Sequence, residues 1–294
     1  MERLDAELAR ATELMGASPD EARTLLEGFE LVLPAPPPHD PFSAAYRDWT
    51  WDLYHRISGR AAYDTTHETS PFDLPTALVR PFPYQSGSLK MVGRDLLARG
   101  HLLDCLAEVA PSGVTGRRIV EFGPGWGNLT RDMVATGLDV TAVELDEKFC
   151  TLIGRRCEGP GRLAVVQGDM LGFTTEEPFD AAVFFESFHH CADHLAMLRR
   201  LHRIVRPDGA VLFAAEPVQR LDYPWGPRLD GLSVWSSRTY GWLELGFDMR
   251  YFDRALEHTG WAGRRFCLGP GPGEADVIVA TPAGVASLCH SATT

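Results

Sequence analysis

The sequence predicts an α/β fold in which a sheet of mostly parallel strands carries helices on both faces. The first observation is a series of short apolar runs after residue 111, each of a length that suits a buried strand. The second is that stretches of helical period lie between these runs, as strand–helix–strand units require. The predicted strands are 118–122, 139–144, 163–167, 179–185, 210–215, 264–268 and 276–280. The predicted helices among them are 128–136, 147–156, 193–205 and 251–259, and a turn is predicted at 206–209.

The N-terminal part of the chain has a different composition and predicts a helical and irregular cover. Residues 1–33 carry two helical patterns. The second has its N-cap at Ser18 and proline at its first position, continues over 22–33 and ends at a run of prolines. Residues 39–85 are rich in aromatic residues and proline, with one helix predicted over 44–58. Helical spacing of apolar residues returns over 88–110. We therefore predict a cap at 1–87 and a main domain at 88–294 that contains an aromatic-rich insert at 221–250.

Length and charge disfavour several classes of protein. The chain has 294 residues, 45% of them hydrophobic, which is enough to bury a core without disulfides or a metal. A formal net charge of −12 predicts no basic face for nucleic acid or an anionic membrane. No apolar run reaches the roughly 18 residues of a membrane span, and residues 1–10 lack the apolar core of a signal peptide. The six cysteines form no C-x-x-C pair, so we expect reduced thiols and a cytoplasmic protein.

The strongest local signal is a glycine-rich turn after the first predicted strand. Gly123, Gly125 and Gly127 occupy alternate positions, and a predicted helix begins at Asn128. Glycines let a ligand approach the backbone closely, and the start of the helix presents free amides. A dinucleotide fingerprint would need a third glycine where this chain has Asn128. Glu121 precedes the turn, and its carboxylate suits a ligand with an ammonium group and would repel a pyrophosphate.

Acidic side chains also close the next two predicted strands. Glu144 ends the second strand, where a carboxylate can accept hydrogen bonds from both hydroxyls of a ribose. Asp169 follows the third strand and is placed to accept from the amino group of an adenine, with Met170 against the ring. Ligands of open α/β sheets bind at these carboxyl ends of the strands. Together, these positions predict a nucleoside-binding edge.

With these motifs the sequence resembles the class I S-adenosylmethionine-dependent methyltransferases over roughly residues 88–282. The resemblance implies a seven-stranded Rossmann-like sheet whose last strand is antiparallel, with S-adenosylmethionine as the cofactor. It implies that Glu121 and the glycine-rich turn hold the methionine part, Glu144 the ribose and Asp169 the adenine amine. It also implies that a segment upstream of the core folds over the donor. The full set of expected donor contacts is Tyr84, Ser86, Glu121, Gly123, Gly125, Gly127, Asn128, Glu144, Leu145, Asp169, Met170 and Glu186.

The segment after the fourth predicted strand is expected to carry the catalytic group. In the family this position faces the methyl group and the acceptor. Methyl transfer to a hydroxyl needs alignment and removal of a proton, and histidine is the natural base at neutral pH. We expect either His189 or His190 to be that base. We predict no metal site, since the His-His-x-x-x-His spacing of 189–194 has no strong precedent as a set of metal ligands.

The stretch after the fifth predicted strand is expected to form the acceptor site. Aromatic side chains alternate there with charged ones, which suits a platform for a sugar ring whose hydroxyls are bound by carboxylates. In overall look, residues 186–247 are similar to methyltransferases that accompany glycosyltransferases in bacterial polysaccharide and glycoside pathways. The expected acceptor contacts are Glu216, Trp225, Arg228, Asp230 and Trp242.

We therefore predict methyl transfer to a hydroxyl of a sugar or a glycosylated small molecule, with no nucleic-acid or membrane partner. The N-terminal helix pair could serve packing or a homodimer. The main alternative is the same chemistry on an aromatic or polyketide-like natural product. A nicotinamide-dependent oxidoreductase is disfavoured by Glu121 and Asn128, and a non-catalytic binding module by the complete set of donor positions. Methylation of nucleobase amines is disfavoured by the acidic charge and the lack of an Asn/Asp-Pro-Pro-Tyr/Phe tetrad after the fourth strand.

Overall fold

The computed structural model describes residues 2–33, 35–69, 71–109, 117–269 and 275–284. The chain divides into two compact units. The sheet unit consists of Thr69–Gln219 with Phe252–Thr294, and the helical unit of Met1–Glu68 with Arg220–Tyr251. Residues 69–87 thus group with the sheet, and most of the aromatic-rich insert groups with the N-terminal residues. The expected division into a cap and a main domain stays a prediction, since compactness does not show which part folds independently.

Helices and strands alternate along most of the chain after residue 117. The strands are β1 (Arg118–Phe122), β2 (Asp139–Glu144), β3 (Leu163–Gln167), β4 (Phe179–Phe185), β5 (Val205–Ala214), β6 (Val218–Gln219), β7 (Trp225–Pro227), β8 (Leu245–Asp248), β9 (Trp261–Phe266) and β10 (Val277–Pro282). The α-helices are α1 (Glu2–Ala17), α2 (Pro19–Glu27), α3 (Ala44–Ser58), α4 (Leu74–Val79), α5 (Leu89–Glu108), α6 (Asn128–Ala135), α7 (Glu147–Arg156), α8 (His194–Ile204), α9 (Gly231–Thr239) and α10 (Met249–His258). Short 3₁₀ helices cover Thr65–His67, Tyr84–Ser86 and Phe188–His190.

Seven strands of the sheet unit form one sheet in the order β3-β2-β1-β4-β5-β10-β9. β1 pairs in parallel with β2 and β4, and β4 pairs in parallel with β5. β10 is antiparallel to both of its neighbours. This arrangement confirms the predicted class of fold, with the last strand antiparallel. The strand order reverses between β1 and β4, and the carboxyl ends at such a point form the ligand crevice of open α/β sheets.

The central strands are apolar along most of their length because both of their faces are buried. Val120, Val183 and Phe184 are fully buried. One face packs against α5 and α6, whose buried apolar residues belong to the same core cluster as Ile119 and Val183. At the margin of the sheet, the residues of β3 are only half-buried or exposed. The core therefore holds in place the central strands, whose carboxyl ends lead into the polar residues of the predicted site.

The helical unit has its own apolar core. Leu26, Leu53 and Val234, from α2, α3 and α9, are buried in one cluster. β7 and β8 pair antiparallel. The hydroxyl of Tyr46 donates to the carbonyl oxygen of Trp225 over 2.9 Å, and burial raises the pKa of Tyr46 to about 12. The phenol therefore stays a hydrogen-bond donor at neutral pH and ties α3 to the aromatic-rich insert.

Three predicted elements differ clearly from the structure. The strand predicted over 264–268 lies at Trp261–Phe266. The second helix, predicted to continue over 22–33, begins at Pro19 as expected but already ends at Glu27, where Gly28 follows and disfavours continuation of the helix. The turn predicted at 206–209 lies within β5, where pairing with β4 shifts register after Phe179. Residues 206–208, Arg-Pro-Asp, are exposed, which gives this part of the strand the composition of a turn.

The next two findings are about membrane-spanning helices and about the cysteines. In the described ranges, no helix combines the length and the apolar composition that crossing a bilayer requires. Five cysteines are free thiols, and the sixth, Cys289, lies outside the described residues.

Candidate active site

The glycine-rich turn between β1 and α6 has a backbone that favours glycine at three positions. Gly123, Gly125 and Gly127 have φ angles of 64°, 50° and 67°. A Cβ atom would lie 2.8 Å from Ser187 at the first position and 2.9 Å from Ile153 at the third. At Gly125, no described atom lies within 4 Å of such a Cβ. Gly123 and Gly127 therefore avoid a steric clash with a neighbouring side chain, whereas Gly125 leaves open space beside the turn.

Glu144, at the end of β2, is hydrogen-bonded to this turn. One carboxylate oxygen accepts from the backbone N–H of Gly125 over 3.0 Å, and the other accepts from Asp146 over 3.0 Å. The residue is 6% exposed, and burial raises its pKa although these amide bonds act in the opposite direction. Each oxygen keeps a second lone pair, so the carboxylate can still accept hydroxyl groups.

Glu121 lies beneath the turn and is 1% exposed. Its carboxylate accepts from the hydroxyl of Thr130 in α6 over 2.6 Å. Burial raises the pKa of Glu121 to about 7, the Thr130 hydroxyl lowers it and the negative charge of Glu144 raises it further. Thr130 is a partner that the sequence analysis missed, although it stands in the first turn of the helix after the glycines. The contact of Glu121 with a donor stays a prediction.

The ends of β2 and β3 are joined at the predicted nucleoside-binding edge. The backbone N–H of Gly168 donates to the carbonyl oxygen of Glu144 over 2.9 Å. Asp169 follows directly and accepts from the N–H of Leu171 over 3.2 Å. Leu145, Asp169 and Met170 are half-buried and thus partly accessible. Their contacts with an adenosine stay predictions.

Asn128 connects the upstream segment of the sheet unit to the turn. Its amide nitrogen donates to the carbonyl oxygen of Phe82 over 2.8 Å, and the rings of Phe82 and Trp126 lie 6.1 Å apart. The hydroxyl of Ser86 donates to the carbonyl oxygen of Pro83 over 2.6 Å, an ordinary turn contact. Tyr84 and Ser86 are therefore held in a segment that lies against the glycine-rich turn. Donor contacts of Tyr84, Ser86 and Asn128 stay predictions.

Two residues without a glycine's freedom adopt positive φ at neighbouring strand ends. Glu186 follows β4 with φ of 50°, and Ala215 follows β5 with φ of 55°. The N–H of Glu186 donates to the carbonyl oxygen of Ala214 over 3.1 Å, so the two bends lie side by side. Such backbone strain is typical of functional sites. The side chain of Glu186, an expected donor contact, is exposed.

Glu216 lies just beyond β5 and holds the segment that follows β4. Its side chain is 1% exposed. One oxygen accepts from the N–H groups of Ser187 and Phe188, each over 2.8 Å. The other accepts from the N–H of His189 over 3.1 Å and from its ring Nδ1 over 2.8 Å. The structure thus gives Glu216 a positioning role that the sequence analysis did not foresee, while its expected contact with an acceptor stays a prediction.

The bond to Glu216 distinguishes His189 from His190. Burial acts to raise the pKa of Glu216, but the His189 ring and the backbone amides outweigh it and hold the pKa below its ordinary value. An ionised carboxylate only accepts hydrogen bonds, so Nδ1 of His189 donates to Glu216, and Nε2 is the ring nitrogen that faces away from this bond. His190 is half-buried, with its ring centroid 4.1 Å from that of His189. His189 is therefore the better oriented of the two expected bases.

The remaining expected acceptor residues lie in the helical unit, where the structure gives them structural contacts. Trp225 is 5% exposed, and its indole N–H donates to the carbonyl oxygen of Pro41 over 2.9 Å. Asp230 caps α9 and forms an ion pair with Arg228 over 2.9 Å. The ring of Trp242 stacks on Tyr240, with centroids 4.8 Å apart. Acceptor contacts of Trp225, Arg228, Asp230 and Trp242 stay predictions.

Across the part of the chain that the structure describes, no group of three or more histidine, cysteine, aspartate or glutamate side chains could hold a metal ion.

The fold of the sheet unit and this edge agree with the expected class I methyltransferase domain, for which S-adenosylmethionine is the cofactor. The residues present fit that cofactor, because the open space at Gly125 lies beside a carboxylate with lone pairs to accept ribose hydroxyls.

Comparison with known proteins relates part of the chain to methyltransferases. Residues 120–213 match the family profile described as "Methyltransferase domain". The ribosomal RNA small subunit methyltransferase A of Novosphingobium aromaticivorans is 36% identical over 92 residues, or 31% of this chain and 33% of that protein. The chain therefore spans about a third of the length of this curated relative.

Two solved structures were also compared. A DhpI–SAH complex has a TM-score of 0.49 and 18% identity, covering 72% of this chain and 95% of that chain. The 1,6-didemethyltoxoflavin-N1-methyltransferase of Burkholderia thailandensis, solved with 1,6-didemethyltoxoflavin and S-adenosylhomocysteine, has a TM-score of 0.46 and 21% identity. It covers 86% of this chain and 94% of that chain.

Proposed function

We propose that this protein transfers a methyl group from S-adenosylmethionine to a hydroxyl of a small molecule, a sugar or a glycosylated compound, with His189 as the general base. The observation that carries the proposal is the 2.8 Å hydrogen bond between Nδ1 of His189 and Glu216. A histidine held by a carboxylate on one nitrogen is prepared to accept a proton on the other.

The chain contributes orientation and proton removal. When bound, S-adenosylmethionine supplies an electrophilic methyl group that a hydroxyl oxygen attacks as the bond from that methyl to sulfur breaks. Nε2 of His189 accepts the proton of that hydroxyl, and the charge of Glu216 stabilises the imidazolium that results. His189 is 7% exposed, so its ring lies largely out of bulk water. Alignment and proton removal are the two contributions that methyl transfer to a hydroxyl asks of an enzyme.

Two features support a small acceptor with a hydroxyl group: the net charge of the chain and the presence of His189 as a base. A net charge of −12 repels a polyanion, whereas an uncharged sugar is unaffected. An alcohol also needs a base for its proton, and His189 provides one. An aromatic or polyketide-like acceptor would use the same base through a phenolic hydroxyl.

An RNA acceptor is the second candidate, because the curated relatives include ribosomal RNA methyltransferases. Those matches span 31% and 54% of this chain. After β4 this chain reads Glu186-Ser187-Phe188-His189, where amino-methylating enzymes carry an Asn/Asp-Pro-Pro-Tyr/Phe tetrad. The absence of this tetrad from the sequence favours the hydroxyl of a small molecule over a base amine.

The test is an acceptor screen with a matched pair of variants. The protein and S-adenosylmethionine are incubated with nucleotide sugars, oligosaccharides, phenolic aglycones and a ribosomal RNA fragment, and products are examined for the mass of one added methyl group. We expect a sugar or glycoside to be methylated, with turnover lost in His189→Asn and kept in His39→Asn, a change at an exposed histidine. Methylation of the RNA alone, no product in any class, or full activity of His189→Asn would contradict the proposal.

A further inference from the structure

Four arginines meet in one cleft of the sheet unit. Arg80 follows α4, Arg131 lies in α6, and Arg155 and Arg156 end α7. The cleft has a volume of about 810 Å³ and is also lined by Tyr84. The net charge of −12 predicted no basic face, so this local concentration of guanidinium groups is an exception to the composition of the chain.

Two of these arginines bind neutral oxygens of the protein. Arg156 donates to the carbonyl oxygen of Trp126 and, over 3.2 Å, to the side-chain oxygen of Asn128. Arg80 donates to the carbonyl oxygen of Tyr84 over 2.8 Å. Such dipoles orient a guanidinium but do not neutralise it, so the positive charge remains available to a ligand.

The acidic side chain beside Arg131 already forms two ion pairs. Asp132 forms an ion pair with Arg131 over 3.3 Å and a second one with Arg99. Among the described residues, Arg155 has no carboxylate within ion-pair distance, and its side chain is exposed. Burial lowers the pKa of Arg156, and the charges of Arg131 and Arg99 lower it further. The cleft therefore carries more positive charge than its own carboxylates balance.

We propose that this cleft binds a phosphorylated small molecule through its phosphoryl groups. Guanidinium groups bind phosphate oxygens in pairs of parallel hydrogen bonds, and several of them together suit a ligand with more than one negative charge. The volume lies within the range of about 300–1,000 Å³ that is usual for small-molecule sites. S-adenosylmethionine matches this cleft poorly, because it has no phosphoryl group, its single carboxylate is the only anion it offers to four guanidinium groups, and its sulfonium is cationic.

The site goes beyond the proposed function, since no step of methyl transfer involves these arginines. Its test is a binding measurement that needs no turnover, so failure of the proposed methyl acceptor would not affect it. Two sources of the phosphoryl group are compared: inorganic pyrophosphate and uridine diphosphate. Binding of both indicates a site for the diphosphate itself, and binding of uridine diphosphate alone indicates that the nucleoside is also bound. Either result supports the proposal.

The experiment is titration calorimetry of the full chain at low salt, with each probe in turn. We expect Arg80→Ala/Arg155→Ala to weaken binding at least about tenfold, since two charge-assisted contacts are lost. The control is Arg199→Ala/Arg203→Ala, which removes the same charge from exposed positions of α8 and should bind like the wild type. S-adenosylhomocysteine is titrated into all three proteins to establish that each is folded.

Three outcomes would overturn the proposal. The first is that the wild type binds neither pyrophosphate nor uridine diphosphate. The second is that both double variants weaken binding equally, which would make the effect one of net charge. The third is that a single-stranded RNA oligomer binds at the cleft while neither phosphate probe does, which would assign the arginines to a polynucleotide.

Discussion

Nδ1 of His189 lies 2.8 Å from Oε2 of Glu216, and the two residues come shortly after the paired strands β4 and β5. The parallel pairing of the strands places their carboxyl ends side by side, which is why residues 27 positions apart can meet. The same carboxylate accepts three backbone N–H groups of residues 187–189. Glu216 thus fixes both the course of this segment and the orientation of the histidine.

The first prediction concerns Glu216→Gln. The amide keeps the shape of the side chain but loses the charge that stabilises a protonated His189. We expect kcat to fall at least about 100-fold, in line with removal of the carboxylate from a histidine–carboxylate pair. The affinity for S-adenosylhomocysteine and the KM of the acceptor should change little, because Glu216 acts through His189. Steady-state kinetics and calorimetry measure these quantities.

A control separates this role from a purely structural one. Glu177→Gln changes an exposed glutamate in the same unit and should leave kcat unchanged. Glu216→Gln also weakens bonds to backbone amides, so we expect a loss of about 1–3 kcal/mol in the free energy of unfolding. If the loss of kcat in Glu216→Gln is no larger than the loss of folded protein, Glu216 supports the fold and does not position the base.

The second prediction concerns Glu144→Ala. This change removes the carboxylate that the donor's ribose is expected to contact and leaves the N–H of Gly125 without its acceptor. We expect the Kd of S-adenosylhomocysteine to rise roughly 10- to 100-fold, the range for one or two lost hydrogen bonds to a charged group. Calorimetry measures it, with Glu147→Ala, an exposed neighbour in α7, as the control. Equal affinity in both variants would refute the ribose assignment.

The third prediction is a pH dependence of stability that originates at Glu121. Burial raises its pKa to about 7, from an ordinary value of 4.5 in the unfolded chain. Between these two values the folded state holds a proton that the unfolded state releases, so this residue makes stability fall as pH rises. Glu121→Gln cannot release a proton, and relative to the wild type it should gain up to about 3 kcal/mol between pH 4.5 and pH 8.

Urea unfolding at several pH values measures this difference. Glu147→Gln, which removes an exposed carboxylate, should follow the profile of the wild type. Parallel profiles for the wild type and Glu121→Gln would mean that Glu121 is ionised in the folded protein at neutral pH.

The strands were the part of the fold that sequence predicted best. The bounds predicted for β1, β2, β3 and β4 coincide with those in the structure. The central strands are buried on both faces, so a continuous apolar run marks most of their length. The error at 206–209 has the opposite origin, because residues 206–208 of β5 are exposed and the sequence Arg-Pro-Asp-Gly is typical of a turn. Local composition thus follows burial more closely than it follows hydrogen bonding.

The arrangement of the candidate site could be predicted where its residues are close in sequence. The glycine-rich turn and the acids at the strand ends are marked by their position after a strand. The bond between His189 and Glu216 was missed, since it depends on which strands are neighbours in the sheet. The arginine cleft was missed for the same reason, because residues 80, 131, 155 and 156 meet only after folding. The net charge of the whole chain, −12, also gives no indication of this local positive charge.

The last prediction compares alanine at two glycines of the same turn. Both Gly123 and Gly125 have positive φ, so alanine brings backbone strain of about 1–2 kcal/mol at either position. At Gly123 the added Cβ would also lie 2.8 Å from Cβ of Ser187, whose hydroxyl donates to the carbonyl oxygen of Phe122. We therefore expect Gly123→Ala to lower the melting temperature more than Gly125→Ala does. Gly125→Ala instead places its methyl group in open space where the donor is expected. It should therefore weaken binding of S-adenosylhomocysteine more than its modest loss of stability explains.

Thermal unfolding measures the melting temperatures of both variants, and calorimetry measures their affinity for S-adenosylhomocysteine. If Gly125→Ala binds S-adenosylhomocysteine as tightly as the wild type does, the donor lies away from this turn.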